Sequence, residues 1–194
     1  MGRRVQEGDF DFFSEEIPQS ALDLPVPLEG RSYCGDLDIR IDQAGVWYYN
    51  GTPIGRKEMV CLFASILMRA EDGVYWLISP TEMGRIEVED APFIATQIFT
   101  HGEGEDQIIS FCTNVDKLIT ISEDVPIIMK PSPVTGVLTP YVAMPGAIEA
   151  RIERAVYYDL VEHGTAMDLD DEKIFGVWSS GSFFPLGSLQ DSDA

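Results

Sequence analysis

The sequence contains few of the residues that build metal sites and disulfide frameworks. Its 194 residues include three cysteines and two histidines. The cysteines Cys34, Cys61 and Cys112 are odd in number and form no Cys-x-x-Cys pair, which argues against both a disulfide framework and a zinc site. His101 and His163 lie far apart in the chain. We therefore expect no metal, no cofactor and free thiols.

Basic residues and long apolar runs are also scarce. Thirteen Lys and Arg against 33 Asp and Glu give a formal net charge of −20, and such a surface repels nucleic acid and anionic membranes. The longest apolar stretch, residues 59–68, is too short to span a bilayer, and the first residues lack a signal-peptide core. We expect a cytoplasmic protein with neither a nucleic-acid nor a membrane partner.

The segment 36–70 is the clearest structural signal in the chain. Residues 36–42 alternate between charged and apolar side chains, and this period of two predicts a strand. Val-Trp-Tyr-Tyr at 46–49 predicts a second strand, and Asn50-Gly51 predicts the tight turn after it. An amphipathic helix is predicted over residues 56–70. The residues expected to form its core-facing stripe are Met59, Leu62, Phe63, Ile66 and Leu67.

Two cations stand at the start of this predicted helix, where acidic residues are usual. Arg56 and Lys57 occupy its first turn, and they are the only adjacent bases inside the chain. Free backbone N–H groups together with two cations can bind a phosphate or carboxylate. Alternatively, both side chains point into water or pair with some of the many acidic residues.

The remainder of the chain predicts short strands and one more helix. That helix covers residues 153–163 and begins close to Arg154, much as Arg56 begins the first one. Residues 166–173 read as an acidic loop. Glu87 and Glu89 share one face of a predicted strand, where paired carboxylates usually form a solvated surface rather than an acid–base pair.

Two segments of the chain resemble one another. Residues 45–55 run Gly-Val-Trp and later Pro-Ile-Gly, and residues 176–187 run Gly-Val-Trp and later Pro-Leu-Gly, with a spacing that differs by one residue. Such an echo suggests an internal duplication. We therefore predict two related halves, and a cleft between halves is a common ligand site.

The fold class expected from these patterns is α+β, with two small domains that share related strand-strand-helix motifs. Hydrophobic residues make up 45% of the chain, enough for a substantial core. The predicted divisions are an extended or disordered N-terminal segment at 1–30, an α+β domain at 31–115, a second α+β domain at 116–188 and a disordered tail at 189–194.

Several long motifs also carry a family resemblance. The stretches GDLDIRID, NGTPIGRKEMVCLFASILMR, GRIEVEDAPF and GVWSSGSFFPLG occur in this order between residues 34 and 187. In these motifs the chain resembles the bacterial family of domain of unknown function 1285 (DUF1285). The resemblance implies a duplicated two-domain α+β fold whose second half is loosely similar to pleckstrin-homology-like folds. It also implies a pocket between the domains for a nucleotide-like molecule, and a role in signal transduction with a protein partner.

No catalytic residue is established for that family, so none is transferred to this chain. By charge and aromatic character we select eight candidate ligand-binding positions. Arginine can fork onto phosphate oxygens, and Trp or Tyr can stack on a base, although core packing is the alternative for both tryptophans. The candidates are Arg40, Trp47, Tyr49, Arg56, Lys57, Arg85, Arg154 and Trp178.

Three functions remain open at this point. The first is a module that binds an anionic, nucleotide-like small molecule between its domains and changes a partner contact. The second is a hydrolase acting on such a ligand, which we do not expect because no Ser-His-Asp, Cys-His or metal spacing is present. The third is a protein-interaction module without a small ligand, with aromatic anchors at Phe10, Phe12 and Phe13 or at Phe183-Phe184.

Overall fold

The computed structural model describes residues 29–169 and 172–188. The predictions for residues 1–28, including the three early phenylalanines, and for the tail at 189–194 lie outside the described residues. Within the described part the chain is mostly β-structure with two α-helices, which is consistent with an α+β class.

The N-terminal half forms a six-stranded sheet with one helix. In chain order its elements are β1 (Ser32–Ile41), β2 (Trp47–Tyr49), β3 (Thr52–Pro53), α1 (Lys57–Ser65), β4 (Leu67–Arg69), β5 (Tyr75–Ile78) and β6 (Glu82–Val88). The strand order across the sheet is β3-β2-β1-β6-β5-β4. The central pair, β1 and β6, is parallel, and the other neighbours are antiparallel.

The C-terminal half forms a second six-stranded sheet, then a helix and a three-stranded sheet. Its elements are β7 (Phe93–His101), β8 (Ile108–Thr113), β9 (Leu118–Thr120), β10 (Ile127–Pro131), β11 (Leu138–Met144), β12 (Ile148–Ile152), α2 (Arg154–Glu162), β13 (Thr165–Leu169), β14 (Glu172–Ser179) and β15 (Ser182–Ser188). The order is β10-β11-β12-β7-β8-β9 in the larger sheet and β13-β14-β15 in the smaller one.

The two six-stranded sheets have the same topology. When the strands of each sheet are numbered from its own first strand, both read 3-2-1-6-5-4 across the sheet. In both, the first and last strands form the parallel central pair. The helix is placed differently, because α1 lies between the third and fourth strands of its half and α2 follows the sixth.

The segments that suggested a duplication are not equivalent in this topology. Trp47 lies in β2 of the first six-stranded sheet, whereas Trp178 lies in β14 of the three-stranded sheet. What they share is a hairpin with positive φ at both turn residues, Asn50-Gly51 and Ser180-Gly181. Trp47 lies three residues before its turn and Trp178 lies two residues before its own. Because side chains alternate along a strand, the two tryptophans lie on opposite faces of their hairpins. The two tryptophan strands therefore occupy unrelated positions.

The first helix is shorter than predicted. It ends at Ser65, whose hydroxyl donates to the Leu62 carbonyl, and residues 67–69 instead form β4 beside β5. The predicted stripe is wrong at two of its five positions, since Met59 is 41% and Leu62 61% exposed, whereas Phe63, Ile66 and Leu67 do pack on the core. The residues that pack onto the core from this helix are Val60, Cys61, Phe63 and Ala64. Strand pairing with β5 buries Leu67 and overrides its helical propensity.

The second predicted helix is confirmed, but the prediction of an acidic loop after it is wrong. The helix runs over Arg154–Glu162, and its Val156 and Leu160 are buried. Residues 165–169 form β13 and pair with β14. Asp168 stands directly opposite Lys173 in this pairing, and opposite charges across a strand pair favour a sheet that sequence polarity alone reads as loop.

One continuous core joins the two halves. It includes Ile41 and Trp47 from the first sheet, Phe111 from the second, Leu160 from α2 and Val177 from β14. The sheets change at residues 89–92, between β6 and β7. The predicted division at 115 and 116 falls in the turn between β8 and β9, which are paired neighbours.

Candidate ligand-binding cleft

A cavity of about 770 Å³ lies between the N-terminal and C-terminal halves. We call it the cleft. Ligand pockets in proteins commonly measure 300–1,000 Å³ and are mainly apolar. The residues that line the cleft are Cys61, Ala64, Ser65, Leu67, Met68, Arg69, Ala70, Glu71, Phe93, Val115, Lys117, Pro145, Gly146, Ala147 and Ile148.

The N-terminal half contributes α1 and β4 to the cleft. Cys61, Ala64 and Ser65 lie on one side of α1, because they are spaced three and four residues apart. The chain leaves the helix at once and runs into β4, which brings Leu67 and Met68 to the same cavity. This lining exists because the helix stops at Ser65.

The C-terminal half contributes two tight turns. One joins β8 to β9 and brings Val115 and Lys117 to the cleft. The other joins β11 to β12, and there Gly146 and Ala147 both have positive φ, at 77° and 57°. A non-glycine residue in this conformation is uncommon and is found where surrounding contacts hold it in place.

Arg69 connects the two halves across the cleft. Its Nη1 donates to the Ala147 carbonyl at 3.0 Å and lies 3.7 Å from Glu149 Oε2. Its Nε donates to the Gly73 carbonyl at 3.3 Å, and its guanidinium carbon lies 5.2 Å from the centre of the Tyr75 ring. Arg69 therefore holds the strained turn of one half against β4 of the other.

Lys117 is a cation without an acidic partner. Among the described residues, no carboxylate lies within 4 Å of its ammonium group, while six other bases form ion pairs. Its backbone is fixed by hydrogen bonds with Thr113, whose N–H donates to the Lys117 carbonyl at 3.0 Å and whose Oγ1 accepts from the Lys117 N–H at 3.1 Å. Although the chain is acidic, the Lys117 ammonium group beside this apolar cavity is therefore available to pair with a negatively charged group of a ligand.

Tyr75 lies buried next to Arg69 in the paired strands β4 and β5. Its hydroxyl has no hydrogen-bond partner among the described residues. Burial raises the pKa of Tyr75 to about 12, although the nearby Arg69 charge opposes this rise. The hydroxyl is therefore neutral and unpaired in the core beside the cleft.

A polar network ties the halves together elsewhere. The Asp90 side chain is only 4% exposed; Arg151 Nε lies 3.2 Å from its Oδ2, and the Tyr141 hydroxyl donates to its Oδ1 at 2.6 Å. Burial, with the hydrogen bond to Asp90, raises the pKa of Tyr141. Arg151 Nη2 also donates to the Gln43 carbonyl of the β1–β2 turn at 2.9 Å. The network thus fixes the junction between the sheets.

Two predicted site residues, Arg40 and Arg85, share a different hollow, an open groove of about 880 Å³ on the first sheet. Both are engaged already. Arg40 pairs with Glu89 and lies 4.4 Å from the centre of the Tyr48 ring, and Arg85 Nε lies 2.6 Å from Asp36 Oδ1. The carboxylates of Glu89 and Asp36 therefore compete with any anion for these two cations.

The predicted pair at the helix start does not line the cleft. Arg56 is the exposed N-cap residue of α1, and Lys57 is the first helical residue. Lys57 Nζ lies 2.6 Å from Asp116 Oδ1, and both side chains are more than half exposed. In the structure Arg56 is therefore exposed to water and Lys57 is paired with an acidic residue, which is the alternative to an anion site that the sequence left open.

The remaining four predicted residues lie apart from one another. Trp47 is 2% exposed in the core and stacks on Phe63, with ring centres 6.3 Å apart. Tyr49 is 54% exposed on β2. Trp178 is half-buried against an edge of Phe183, and Arg154 donates to the Tyr158 hydroxyl on the surface of α2.

Sequence reasoning missed the residues that do line the cleft. Arg69 was assigned to the end of a helix, so its position on an edge strand was hidden. The Pro145-Gly146 dipeptide is a turn signal that could have marked one side of the cavity. No group of three or more His, Cys, Asp or Glu side chains in the described ranges could hold a metal ion. None of the helices in those ranges is long and apolar enough to cross a membrane.

Comparison with protein-family models gives two adjacent matches. The model described as "Domain of unknown function (DUF1285), N-terminal domain" matches residues 25–91, and the model described as "Protein of unknown function (DUF1285), C-terminal domain" matches residues 92–186. The chain belongs to the DUF1285 family. In this DUF1285 protein the two matches meet where the first six-stranded sheet gives way to the second.

Solved structures of the family resemble this DUF1285 protein over most of its length. A DUF1285 family protein from Silicibacter pomeroyi DSS-3 is 41% identical, covers 89% of this chain and 91% of its own, and superposes with a TM-score of 0.76. One from Shewanella baltica OS155 is 25% identical, covers 66% of this chain and 92% of its own, and has a TM-score of 0.52. No curated protein matches the chain.

Proposed function

We propose that this DUF1285 protein is a ligand-binding module whose site is the cleft between its halves. The observation that carries the proposal is a cavity of about 770 Å³ that both halves line and that has the unpaired Lys117 at its exposed side. A small anionic molecule fits this arrangement of one free cation beside apolar side chains. The nucleotide-like form of that molecule is what the family resemblance implies.

We further propose that ligand occupancy is transmitted through Arg69, as a signalling role requires. Arg69 lines the cleft and at the same time holds the Ala147 carbonyl and approaches Glu149 on the other half. A ligand that fills the cleft beside Arg69 displaces this side chain and so competes with these contacts. The β11–β12 turn and the residues next to it then form the surface to which a protein partner binds differently when the cleft holds a ligand.

The repeated 3-2-1-6-5-4 strand order supports an internal duplication, which we propose as the origin of the two halves. In this proposal the second half is the one related to pleckstrin-homology-like folds, since it alone is a sheet followed by a helix. The hydrolase function stays an untested alternative.

A protein-interaction module without a small ligand is the second candidate, and one surface favours it. Phe99, Ile108 and Leu118 are exposed on β7, β8 and the edge strand β9. The anchors predicted at Phe183-Phe184 are less suitable, because Phe184 is buried and Phe183 packs against Trp178.

Blocking the cleft tests the first candidate. The probe is 8-anilinonaphthalene-1-sulfonate, an apolar dye with one negative charge whose fluorescence rises in apolar sites. Ser65→Trp places a bulky ring in the cleft from an exposed position of α1. Leu62→Trp is the matched control, since Leu62 is exposed on the same helix and does not line the cavity.

We expect saturable binding of one dye per chain in the wild-type protein and in Leu62→Trp, and at least tenfold weaker binding in Ser65→Trp. Circular dichroism of all three proteins checks that each is folded. Equal binding by the three folded proteins, or no saturable binding by any of them, contradicts the proposed site.

A further inference from the structure

We propose that the ligand of the cleft is an amphipathic monoanion, an acyl carboxylate in its simplest form, rather than a nucleotide or another polyanion. This proposal rests on the proposed function, because it specifies what the same cleft binds. Three properties of the lining carry it: the scarcity of polar side chains, the small net charge and the position of the one free cation.

The lining offers almost no partners for the polar groups of a nucleoside. Among the uncharged lining residues that the structure describes, Ser65 is the one side chain with a hydroxyl or amide, and the Ser65 hydroxyl already donates to the Leu62 carbonyl. Phe93 is the one aromatic lining residue, and it is almost fully buried. A base or sugar would therefore lose its hydrogen bonds to water without replacement, whereas an acyl chain would lose none.

The charges at the cleft suit one negative group. Its charged lining residues are Arg69, Lys117 and Glu71, a net of one positive charge. Arg69 is already bound to the Gly73 and Ala147 carbonyls, and Lys117 is then the lining cation that has no acidic partner in the described part of the chain. A phosphate chain would bring several negative charges toward Glu71 and into a molecule of net charge −20, so a single carboxylate on Lys117 is favoured.

The geometry also separates the two ends of the ligand. Lys117 is exposed, while Leu67, Ala70 and Phe93 are buried. A carboxylate at Lys117 therefore stays close to water while the chain extends among apolar side chains. Because each buried methylene favours binding by about 0.8 kcal/mol, affinity should rise about fourfold per methylene until the cavity is filled.

The experiment is displacement of bound 8-anilinonaphthalene-1-sulfonate from the full chain by octanoate, decanoate, dodecanoate, dodecanol, AMP and ATP. Lys117→Ala is the test variant. Lys173→Ala is the matched control, since Lys173 is exposed on β14, away from the cleft.

We expect affinity to rise by tenfold or more for each pair of methylenes, dodecanoate to bind about tenfold more tightly than dodecanol, and this difference to be lost in Lys117→Ala but kept in Lys173→Ala. Displacement of the dye by AMP or ATP but not by the carboxylates would contradict the proposal that the ligand is a monoanion, while the cleft would still be a ligand-binding site. Equal affinity for dodecanoate and dodecanol in the wild-type protein overturns the role of Lys117. Failure of the dye and of every competitor to bind overturns the proposed function itself.

Discussion

Two buried tyrosines differ in what their hydroxyl groups contact. The Tyr141 hydroxyl donates to Asp90 at 2.6 Å, whereas the Tyr75 hydroxyl has no partner among the described residues. Burying an unpaired hydroxyl costs free energy, and a hydrogen bond to a charged group stabilises a fold. The same chemical change at the two positions should therefore have opposite effects.

Replacing each tyrosine by phenylalanine tests this difference. Tyr75→Phe should leave the free energy of unfolding unchanged or raise it by about 1 kcal/mol, because it removes an unpaired polar atom. Tyr141→Phe should lower it by about 2 kcal/mol, because Asp90 loses a donor. Urea denaturation at pH 7 measures both. A larger loss for Tyr75→Phe than for Tyr141→Phe would contradict the assigned contacts.

The raised pKa of Tyr75 predicts a loss of stability at high pH. The pKa is about 12 in the folded protein and about 10 in the unfolded chain. Below pH 10 the hydroxyl keeps its proton in both the folded and the unfolded state, so Tyr75 causes no loss of stability there. As the pH rises from 10 to 12 only the unfolded chain releases it, so unfolding becomes more favourable by up to about 3 kcal/mol. The urea midpoint should fall less between pH 9 and pH 11.5 in Tyr75→Phe than in the wild-type protein. An equal fall in the two proteins would exclude Tyr75 as a cause of the loss.

At the scale of the element, alternation and turn chemistry predict the strands better than spacing predicts how a helix packs. Residues 58–65 of α1 are almost all apolar or small, so several stripes can be drawn along the helix. Which stripe packs is decided by the sheet that the helix meets, and that contact is not local. For the two tryptophan strands, a shift of one residue relative to the turn was enough to exchange the faces.

The β14–β15 hairpin offers a matched pair of glycines for testing close backbone approach. A Cβ at Gly176 would lie 2.4 Å from the Phe184 carbonyl oxygen, whereas a Cβ at Gly187 would have no heavy atom within 4 Å. Gly176→Ala should therefore lower the free energy of unfolding by about 2 kcal/mol, because backbone must move. Gly187→Ala should be neutral. Thermal denaturation of the two variants compares them, and similar midpoints would count against the described pairing.

At the scale of the whole molecule, the sequence predicts two halves but not how they meet. Strand patterns do not specify the parallel pairs β1–β6 and β7–β12, because parallel pairing joins segments distant in the chain. The cleft likewise depends on Arg69 and Lys117 coming together from different halves. The predicted candidates were chosen by charge and aromatic character, and those properties do not indicate which side chains already have partners.

The buried pair between Asp90 and Arg151 should contribute strongly to the junction of the halves. Asp90→Asn leaves the Arg151 guanidinium without its carboxylate, and breaking such a pair costs about 3 kcal/mol. Asp159→Asn, an exposed position on α2, should change stability by less than about 0.5 kcal/mol. Urea denaturation of both variants measures the difference. Equal stability of the two would show that the pair is not needed to hold the sheets together.

The most direct measurement is a methyl NMR titration of the labelled full chain with dodecanoate. If the cleft binds an amphipathic monoanion, the methyl signals of Ala64, Met68 and Ile148, which line it, should shift and saturate together. Those of Met167 and Ile174 on the three-stranded sheet should stay in place. Saturable shifts confined to residues outside the cleft, or no shifts at saturating dodecanoate, would contradict the account.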